Sequence, residues 1–340
     1  MSSIASIYSS TDPGAPQLSG TVGSVVALLD AVLVDGYGTG ANAKAGAGWS
    51  RAFTASNKRA YRNDPVAGSG FYLRVDDSGA SGGARQALAR GYASMTGVDT
   101  GTNPTPTVAQ ATNGVPIAKS SALSGASAPW LIVADSKFFY LFVKPWGVDS
   151  LNGFLPYFFG DFISFKPGDM KNWCISRNGL TVFNGSGDVD GYVFSTSNTS
   201  AVIETSRAAV HLPDSQTSPA AAALAHLVGG YRATSYTTWG GSGADSVPYP
   251  HPITQGLVYS AAFIYEAVGM PRGELPGLLV PRHDKPFPDR VAQVPPLEFG
   301  QHSSMVPVNF VAEIWSGLSS DGQYNQFGQV LFLTGGSWWA

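Results

Sequence analysis

The sequence predicts a mainly β fold with a minor helical part (α+β): a β-sandwich-like aromatic core, an N-terminal helix and one or two further helices. The stretch 130–169 indicates this most clearly, because runs of aromatic and β-branched residues alternate there with short polar turns. The 41 glycines and 23 prolines interrupt the rest of the chain at short intervals, as expected of short strands and tight turns. Helical apolar patterns are few.

Within this stretch, Trp130 to Ala134 and Lys137 to Val143 are predicted to pair as a hairpin with Asp135-Ser136 as its turn. A further strand is predicted from Tyr157 to Phe165. It ends at Lys166-Pro167-Gly168-Asp169, where proline presets one dihedral and glycine allows a positive one. Because aromatic side chains bury large areas, we expect this stretch to anchor the core.

An apolar helix is predicted from Thr21 to Asp35. Its valines and leucines form a wide stripe, Ser19 or Thr21 can cap its start, and Gly36 can end it. A helix this apolar must pack against a sheet or against another subunit. Its candidate interface residues are Val25, Leu29 and Leu33.

A second helix is predicted over residues 219–228. Ser218 can cap it, Pro219 suits its first position, alanines fill it, and Gly229 can end it. Residues 84–95 fit either a helix or a strand, because their small side chains favour a helix and their glycines weaken it.

The remaining segments are predicted to be strands and loops. Residues 9–20 are predicted to form an extended arm or loop, and residues 97–128 a linker or long loop rich in Thr, Pro, Gly, Ala and Ser. Further strands are predicted within 49–53, 71–75, 179–194, 201–210, 257–268, 308–315 and 329–333.

Three segments follow from this order of elements. Residues 1–40 form an N-terminal arm and helix, residues 41–115 a small α+β or β region, and residues 116–340 a β-rich domain. A chain of 340 residues can equally be one large β domain, so a single domain stays open as the alternative.

Charged residues make up only 13% of the chain, about half the roughly 25% of a typical soluble domain. Because low charge weakens repulsion between copies, we expect a homo-oligomer. The net charge of −3 provides no basic stripe for phosphates, so nucleic acid is not expected as a partner. The densest basic run, Lys58-Arg59 with Arg62, is predicted to be a solvated loop.

Cys174 is the only cysteine, and its apolar neighbours predict a buried small hydrophobe. An intrachain disulfide and a zinc cluster of thiolates are therefore excluded. The N-terminus lacks the pattern of a secretion signal, and no apolar run approaches the ~20 residues of a membrane helix. We expect a soluble chain that is made in the cytoplasm, is not secreted and does not insert into membranes.

No motif nominates a catalytic, cofactor-binding or metal-ligating residue, so the sequence predicts a protein that is not an enzyme and uses no cofactor. Gly240-Gly241-Ser242-Gly243-Ala244 misses the serine-hydrolase pattern G-x-S-x-G at its last position. The turn NGSGDVDG at 184–191 lacks the first Asp and last Glu of a calcium loop. The five histidines are scattered and are predicted to lie in loops: His211, His226, His251, His283 and His302.

Two pairs of carboxylates, Asp76-Asp77 and Asp161 with Asp169, adjoin strand ends or turns. Structural capping is therefore preferred over acid–base chemistry. The tryptophans Trp338 and Trp339 near the C-terminus would expose apolar surface unless they dock. Burial within the chain and contact with another subunit are equally open, and both residues are candidate interface residues.

Seven segments are distinctive as sequence: SIYSSTDPGAPQLSGTVGSVVALLDAVLVDGYG at 6–38, KAGAGWSRAF at 44–53, FYLRVDD at 71–77, GYASMTGVDTGT at 91–102, WLIVADSKFFYLF at 130–142, FFGDFISFKPGD at 158–169 and RGELPGLLVPRHDKPFPD at 272–289. In these segments the chain resembles a family of tailed-bacteriophage virion proteins described only as structural. The resemblance carries no catalytic residue.

The resemblance implies a structural subunit of a bacteriophage particle, located in the virion and above all in its tail or baseplate region. Its partners would be other copies of itself and other virion proteins. Two alternatives stay open: a capsid decoration protein, and a tail module that binds host-surface glycan through aromatic loops near Trp146, Tyr236 and Trp239. A hydrolase of a surface polymer would need a pair of carboxylates that no pattern nominates.

Overall fold

A computed structural model describes residues 5–79, 85–108, 112–120, 122–145, 155–169, 171–176, 208–211, 219–226, 253, 259–267, 270–281, 304–314 and 325–334. Over these residues the chain is mainly β, with three sheets and a single short α-helix. The predicted fold class is therefore confirmed.

The helical segments are α1 (Ser24–Leu29), a π-helical continuation at Asp30–Asp35 and one 3-10 turn at Gly40–Asn42. The strands in chain order are β1 (Ser6–Ser9), β2 (Ser50–Ala55), β3 (Lys58–Arg62), β4 (Tyr72–Asp76), β5 (Gln86–Tyr92), β6 (Ser94–Gly97), β7 (Thr100–Thr102), β8 (Val115–Ala118), β9 (Trp130–Ala134), β10 (Phe138–Val143), β11 (Leu155–Asp161), β12 (Ile163–Ser164), β13 (Trp173–Ser176), β14 (Ala208–His211), β15 (Pro219–His226), β16 (Tyr259–Ala267), β17 (Met270–Pro281), β18 (Ser304–Ile314) and β19 (Asn325–Thr334).

The largest sheet has twelve strands, all paired antiparallel. Its order is β1-β9-β10-β11-β13-β14-β15-β16-β17-β19-β18, and β12 pairs with β17 off this path. A five-stranded sheet has the order β2-β3-β4-β5-β8, and β6 and β7 form a separate hairpin.

The predicted aromatic hairpin is β9–β10, and its turn lies one residue later than expected. The Asp135 N–H donates to Phe138 O at 3.0 Å, so the two-residue loop is Ser136-Lys137. The Asp135 carboxylate accepts the N–H groups of Lys137 (2.7 Å) and Phe138 (3.1 Å). Asp135 therefore flanks the turn and caps it from its side chain.

Strand β10 is buried on both faces, which makes it the centre of the core. All six of its side chains are fully buried. On one face, the Tyr140 hydroxyl donates to Pro276 O in β17 (2.9 Å), and β12 also pairs with β17. The large sheet is therefore curved so that β17 covers the face of β10 that carries Tyr140. The five-stranded sheet covers the opposite face of β10.

Aromatic rings of the two larger sheets meet in this core. Trp49, beside β2, contacts Phe139 in β10 with ring centroids 5.5 Å apart, and Phe71, beside β4, stacks on Trp173 in β13 at 4.8 Å. The Trp49 indole N–H is satisfied by Asp135 O (2.8 Å). These contacts confirm the prediction that the aromatic stretch anchors the core.

Helix α1 was predicted to pack against a sheet or against another subunit. It packs against the five-stranded sheet of its own chain. The Tyr61 hydroxyl of β3 lies 3.1 Å from Val26 O. The predicted N-cap is wrong: Ser19 and Thr21 hydrogen-bond each other, and the Asp77 carboxylate after β4 accepts the Val25 N–H at 2.8 Å. The helical segment ends before Gly36 as predicted, at a φ of 80°.

Several local predictions are wrong because tertiary pairing overrides local preference. The predicted helix at 219–228 contains strand β15, whose backbone pairs with both β14 and β16. The predicted linker at 97–128 contains β7 and β8. For residues 84–95, where helix and strand were both left open, β5 confirms the strand. The basic run Lys58–Arg62 is strand β3 rather than a loop.

Other strands agree with the sequence. The predictions for 49–53, 71–75, 257–268, 308–315 and 329–333 are confirmed by β2, β4, β16, β18 and β19, and that for 201–210 overlaps β14. Strand β17 was not predicted, because its prolines and glycines are untypical of a strand. The strands predicted within 179–194 lie outside the described residues.

Cys174 lies in β13 and is buried, as predicted. Burial raises the pKa of its thiol well above the ordinary value, so the thiol behaves as a small apolar group.

Candidate functional site

The β3–β4 loop, residues 63–71, combines an exposed apolar tip with a buried base. The tip is Pro65-Val66-Ala67, and all three residues are exposed. Val66 is 94% exposed, the highest value among the exposed large apolar side chains of the described residues. Single exposed apolar residues are common on protein surfaces. This loop differs because three exposed apolar residues are adjacent and because hydrogen bonds hold the base of the loop rigidly.

Asp64 fixes the conformation of the tip. Its carboxylate accepts the N–H groups of Val66 (2.8 Å) and Ala67 (3.1 Å), and its carbonyl accepts the Gly68 N–H (2.9 Å). The Val66 and Ala67 N–H groups hold the pKa of Asp64 below its usual range. The turn is therefore closed by both side chain and backbone.

Asp161, the last residue of β11, holds the base of the loop. Its carboxylate accepts Ser69 N–H (2.7 Å), Ser69 Oγ (2.5 Å) and Asn63 Nδ2 (2.9 Å). Burial raises the pKa of Asp161 to about 7, although the donors of Ser69 and Asn63 act in the opposite direction. A buried carboxylate of the large sheet thus fixes a loop of the five-stranded sheet.

The β9–β10 turn supplies a second attachment. The Asp64 N–H donates to Ser136 O (2.8 Å), and Asn63 Nδ2 lies 3.0 Å from Lys137 O. Gly68 is required at its position, because a Cβ there would lie 2.6 Å from the Asp161 carboxylate. The loop tip is therefore presented on a fixed base.

An arginine and two aromatic rings flank the loop on the outer face of the five-stranded sheet. Arg62 lies 5.0 Å from the ring centre of Tyr72, and its Nε donates to Gly70 O (3.2 Å). Phe53 stacks near Tyr72 with centroids 6.5 Å apart. All three side chains are half-buried. Arg and Tyr are the residue types that most often dominate protein–protein contacts.

A cavity of about 480 Å³ lies beside the loop; we call it the β1 cavity. It is lined by residues of β1, of the segment 44–47 and of the β9–β10 hairpin. One part of its wall is small or apolar, and Ser6, Lys44, Asp135 and Ser136 form a polar part. Ser136 also accepts the Asp64 N–H, so the cavity and the loop are neighbours.

The predicted interface residues of the helix lie elsewhere. Val25, Leu29 and Leu33 are 1%, 0% and 0% exposed and belong to the core cluster, so this chain already covers them. They leave no surface for a second subunit. Trp338 and Trp339, and the loops near Trp146, Tyr236 and Trp239, lie outside the described residues.

The carboxylate pairs singled out from sequence have structural partners. Asp169 forms a bidentate ion pair with Arg272 of β17 (both distances 3.0 Å), and both side chains are buried. Burial opposes ionisation of Asp169, but Arg272 and Ser164 hold its pKa below the usual range. The pair attaches the turn after β12 to β17.

Asp77 forms a fully buried ion pair with Lys119, and both side chains are 0% exposed. Lys119 Nζ also donates to Thr21 O (2.6 Å). Burial raises the pKa of Asp77 and lowers the pKa of Lys119. This pair joins α1, the end of β4 and the segment after β8. Asp76 bonds instead to Ser78 (2.6 Å) and Arg74 (2.8 Å).

Sequence reasoning missed the β3–β4 loop. The signal available was Asp64-Pro65 followed by Gly68, a turn pattern, with a valine where turns usually carry polar residues. The partner that fixes the loop, Asp161, lies almost a hundred residues away and could not be paired with it by local pattern.

A scan against protein-family models and a search of curated proteins found no match to this chain. Among the described residues, no group of three or more His, Cys, Asp or Glu side chains is placed to hold a metal ion. Within the same ranges, no helix is both long and apolar enough to cross a membrane. His211 and His226 lie in β14 and β15 rather than in loops; the other three histidines lie outside the described residues.

Proposed function

We propose that this chain is a non-enzymatic structural subunit of a tailed-bacteriophage particle, in the tail or baseplate region. It works by contact with copies of itself and with other virion proteins. The β3–β4 loop carries the proposal, because its apolar tip gains free energy only when another surface covers it. Its fixed base lowers the entropy lost on contact.

The use of acidic side chains in the described residues supports a structural role. The aspartates described above bond to a cation, a hydroxyl or a backbone N–H of this chain: Asp64, Asp76, Asp77, Asp161 and Asp169. In none of these arrangements do two carboxylates face a cleft. Asp12, Asp30, Asp35 and Asp99 bond in the same way to Lys44, Arg51, Arg59 and Arg74. The charge-poor composition and the resemblance of seven segments to virion proteins point in the same direction.

Electron microscopy of particles labelled with an antibody against this chain tests the proposal. We expect label at the tail or its tip. Label over the capsid would favour a decoration protein, and particles that lack the chain by immunoblot would overturn the proposal. Particles from a strain in which the gene is deleted provide the control for antibody specificity.

A further inference from the structure

The β1 cavity is large enough for the loop tip, and part of its wall is apolar. The cavity of about 480 Å³ is lined by Ile7, Tyr8, Ala45, Gly46, Ala47 and Ala134 and by the polar or charged residues Ser6, Lys44, Asp135 and Ser136. At about 30 Å³ per heavy atom, the side chains of Pro65-Val66-Ala67 need roughly 200 Å³. The cavity therefore has room for the tip and part of its backbone.

The base of the loop and a residue beside the cavity also carry groups of opposite charge. Among the described residues, Arg62 has no carboxylate partner; its Nε bonds only to a backbone carbonyl. Beside the cavity wall, Asp12 accepts Ser9 N–H, the Tyr37 hydroxyl and Lys44 Nζ, all on Oδ2. Its Oδ1 has no hydrogen-bond partner in the described ranges, and the side chain is 19% exposed. A guanidinium and a carboxylate oxygen are thus both available.

The edge of β1 is closed to another strand, so contact here has to be made by side chains. Lys44 Nζ donates to Ile7 O at 2.8 Å. The Asp12 carboxylate accepts the Ser9 N–H at 2.8 Å, and the Asp12 backbone N–H donates to Ser9 O at 3.0 Å. Charged residues that cover an edge strand in this way prevent strand addition.

We propose that the β3–β4 loop tip of one copy inserts into the β1 cavity of a second copy, while Arg62 pairs with Asp12 across the contact. Because loop and cavity share Ser136 as a neighbour, they lie side by side, an arrangement that allows the contact to close reciprocally about a two-fold axis. The inference rests on the proposed function and names the partner of the same loop as a second copy of this chain.

Disulfide trapping between two variants, each with one added cysteine, tests the inference. Val66→Cys and Ala45→Cys, one carrying a mass tag, are mixed in equal amounts and oxidised mildly. Ala45 lines the cavity and is exposed, and the native Cys174 is buried and contributes little background. The matched control replaces Ala45→Cys by Leu123→Cys, an exposed apolar position (71%) outside the cavity.

We expect a covalent heterodimer, with twice the 35.5 kDa of one chain plus the mass of the tag, several times more abundant than with the control. Adding Arg62→Glu to the Val66→Cys variant should lower the yield of heterodimer.

Equal yields for the cavity and control positions would overturn the inference, and a yield unchanged by Arg62→Glu would overturn the ion pair between Arg62 and Asp12. If the heterodimer forms but the chain is absent from particles, only the proposed function is overturned. If the chain is present in particles but the heterodimer does not form, only this inference is overturned.

Discussion

Asp161 shows how a single buried carboxylate can control a surface. It lies fully buried at the end of β11 and holds the β3–β4 loop through Ser69 and Asn63. Its folded pKa of about 7 lies above the ~3.9 of an unfolded Asp, so the unfolded chain loses this proton first as pH rises. The contribution of Asp161 to stability is therefore complete at low pH and is lost as pH rises to about 7.

Replacing Asp161 by Asn should remove this dependence. The melting temperature of D161N minus that of the wild type should rise between pH 4 and pH 7. The corresponding change in the difference between their free energies of unfolding is at most about 4 kcal/mol. Thermal unfolding followed by circular dichroism across this range measures it. D64N is the control, because the lowered pKa of Asp64 confines its own effect to more acidic pH. A constant or falling difference for D161N would contradict the assignment.

The ion pair of Lys119 and Asp77 yields a second prediction at this scale. K119M should destabilise the protein by about 3–5 kcal/mol, since it leaves Asp77 buried without its cation. The double variant D77N/K119M should lose less than K119M alone. Denaturant unfolding measures both, with K166M at an exposed lysine as the control. Equal losses for K119M and K166M would show that the pair contributes little.

At the scale of the elements, the rigidity of the β3–β4 loop depends on the close approach of the Gly68 backbone to the Asp161 carboxylate. G68A should loosen the loop, because the new Cβ would lie 2.6 Å from the Asp161 carboxylate and 2.9 Å from Asp64 O. Hydrogen exchange at the Ser69 amide should speed up, while the strands of the large sheet keep their protection. G125A, where a Cβ meets nothing within 4 Å, is the control. Unchanged exchange at Ser69 would refute the tight fit.

The elements also show what sequence could and could not predict. The hairpin Trp130–Val143 was predictable, because its aromatic and β-branched runs and the polar residues between them are local signals, although its turn lies one residue later than predicted. Strand β15 was not, because an alanine run favours a helix until two neighbouring strands satisfy its backbone. The cap on α1 was missed for a similar reason: Asp77 reaches it from 52 residues away. The exposure of the tip of the β3–β4 loop could not be predicted from sequence, because it depends on the whole fold.

At the scale of the whole molecule, the curled large sheet and the five-stranded sheet enclose one aromatic core that extends from Tyr8 to Leu278. The resulting protein has little surface charge and carries its β3–β4 loop where the two sheets meet. A rigid body with an exposed apolar loop suits repeated contact in an assembly better than a site that must close around a substrate. We therefore expect this loop to make the contact between subunits.

Incorporation of loop variants into phage particles tests this claim most directly. A phage that lacks the gene is supplied with wild-type chain, Val66→Asp or Leu123→Asp, and the chain is quantified in purified particles by immunoblot. Leu123 is the matched control, an exposed apolar residue outside the loop. We expect wild type and Leu123→Asp to enter particles, and Val66→Asp to remain folded by circular dichroism but to be largely excluded. Equal incorporation of both variants, or no wild-type chain in particles, would contradict the account.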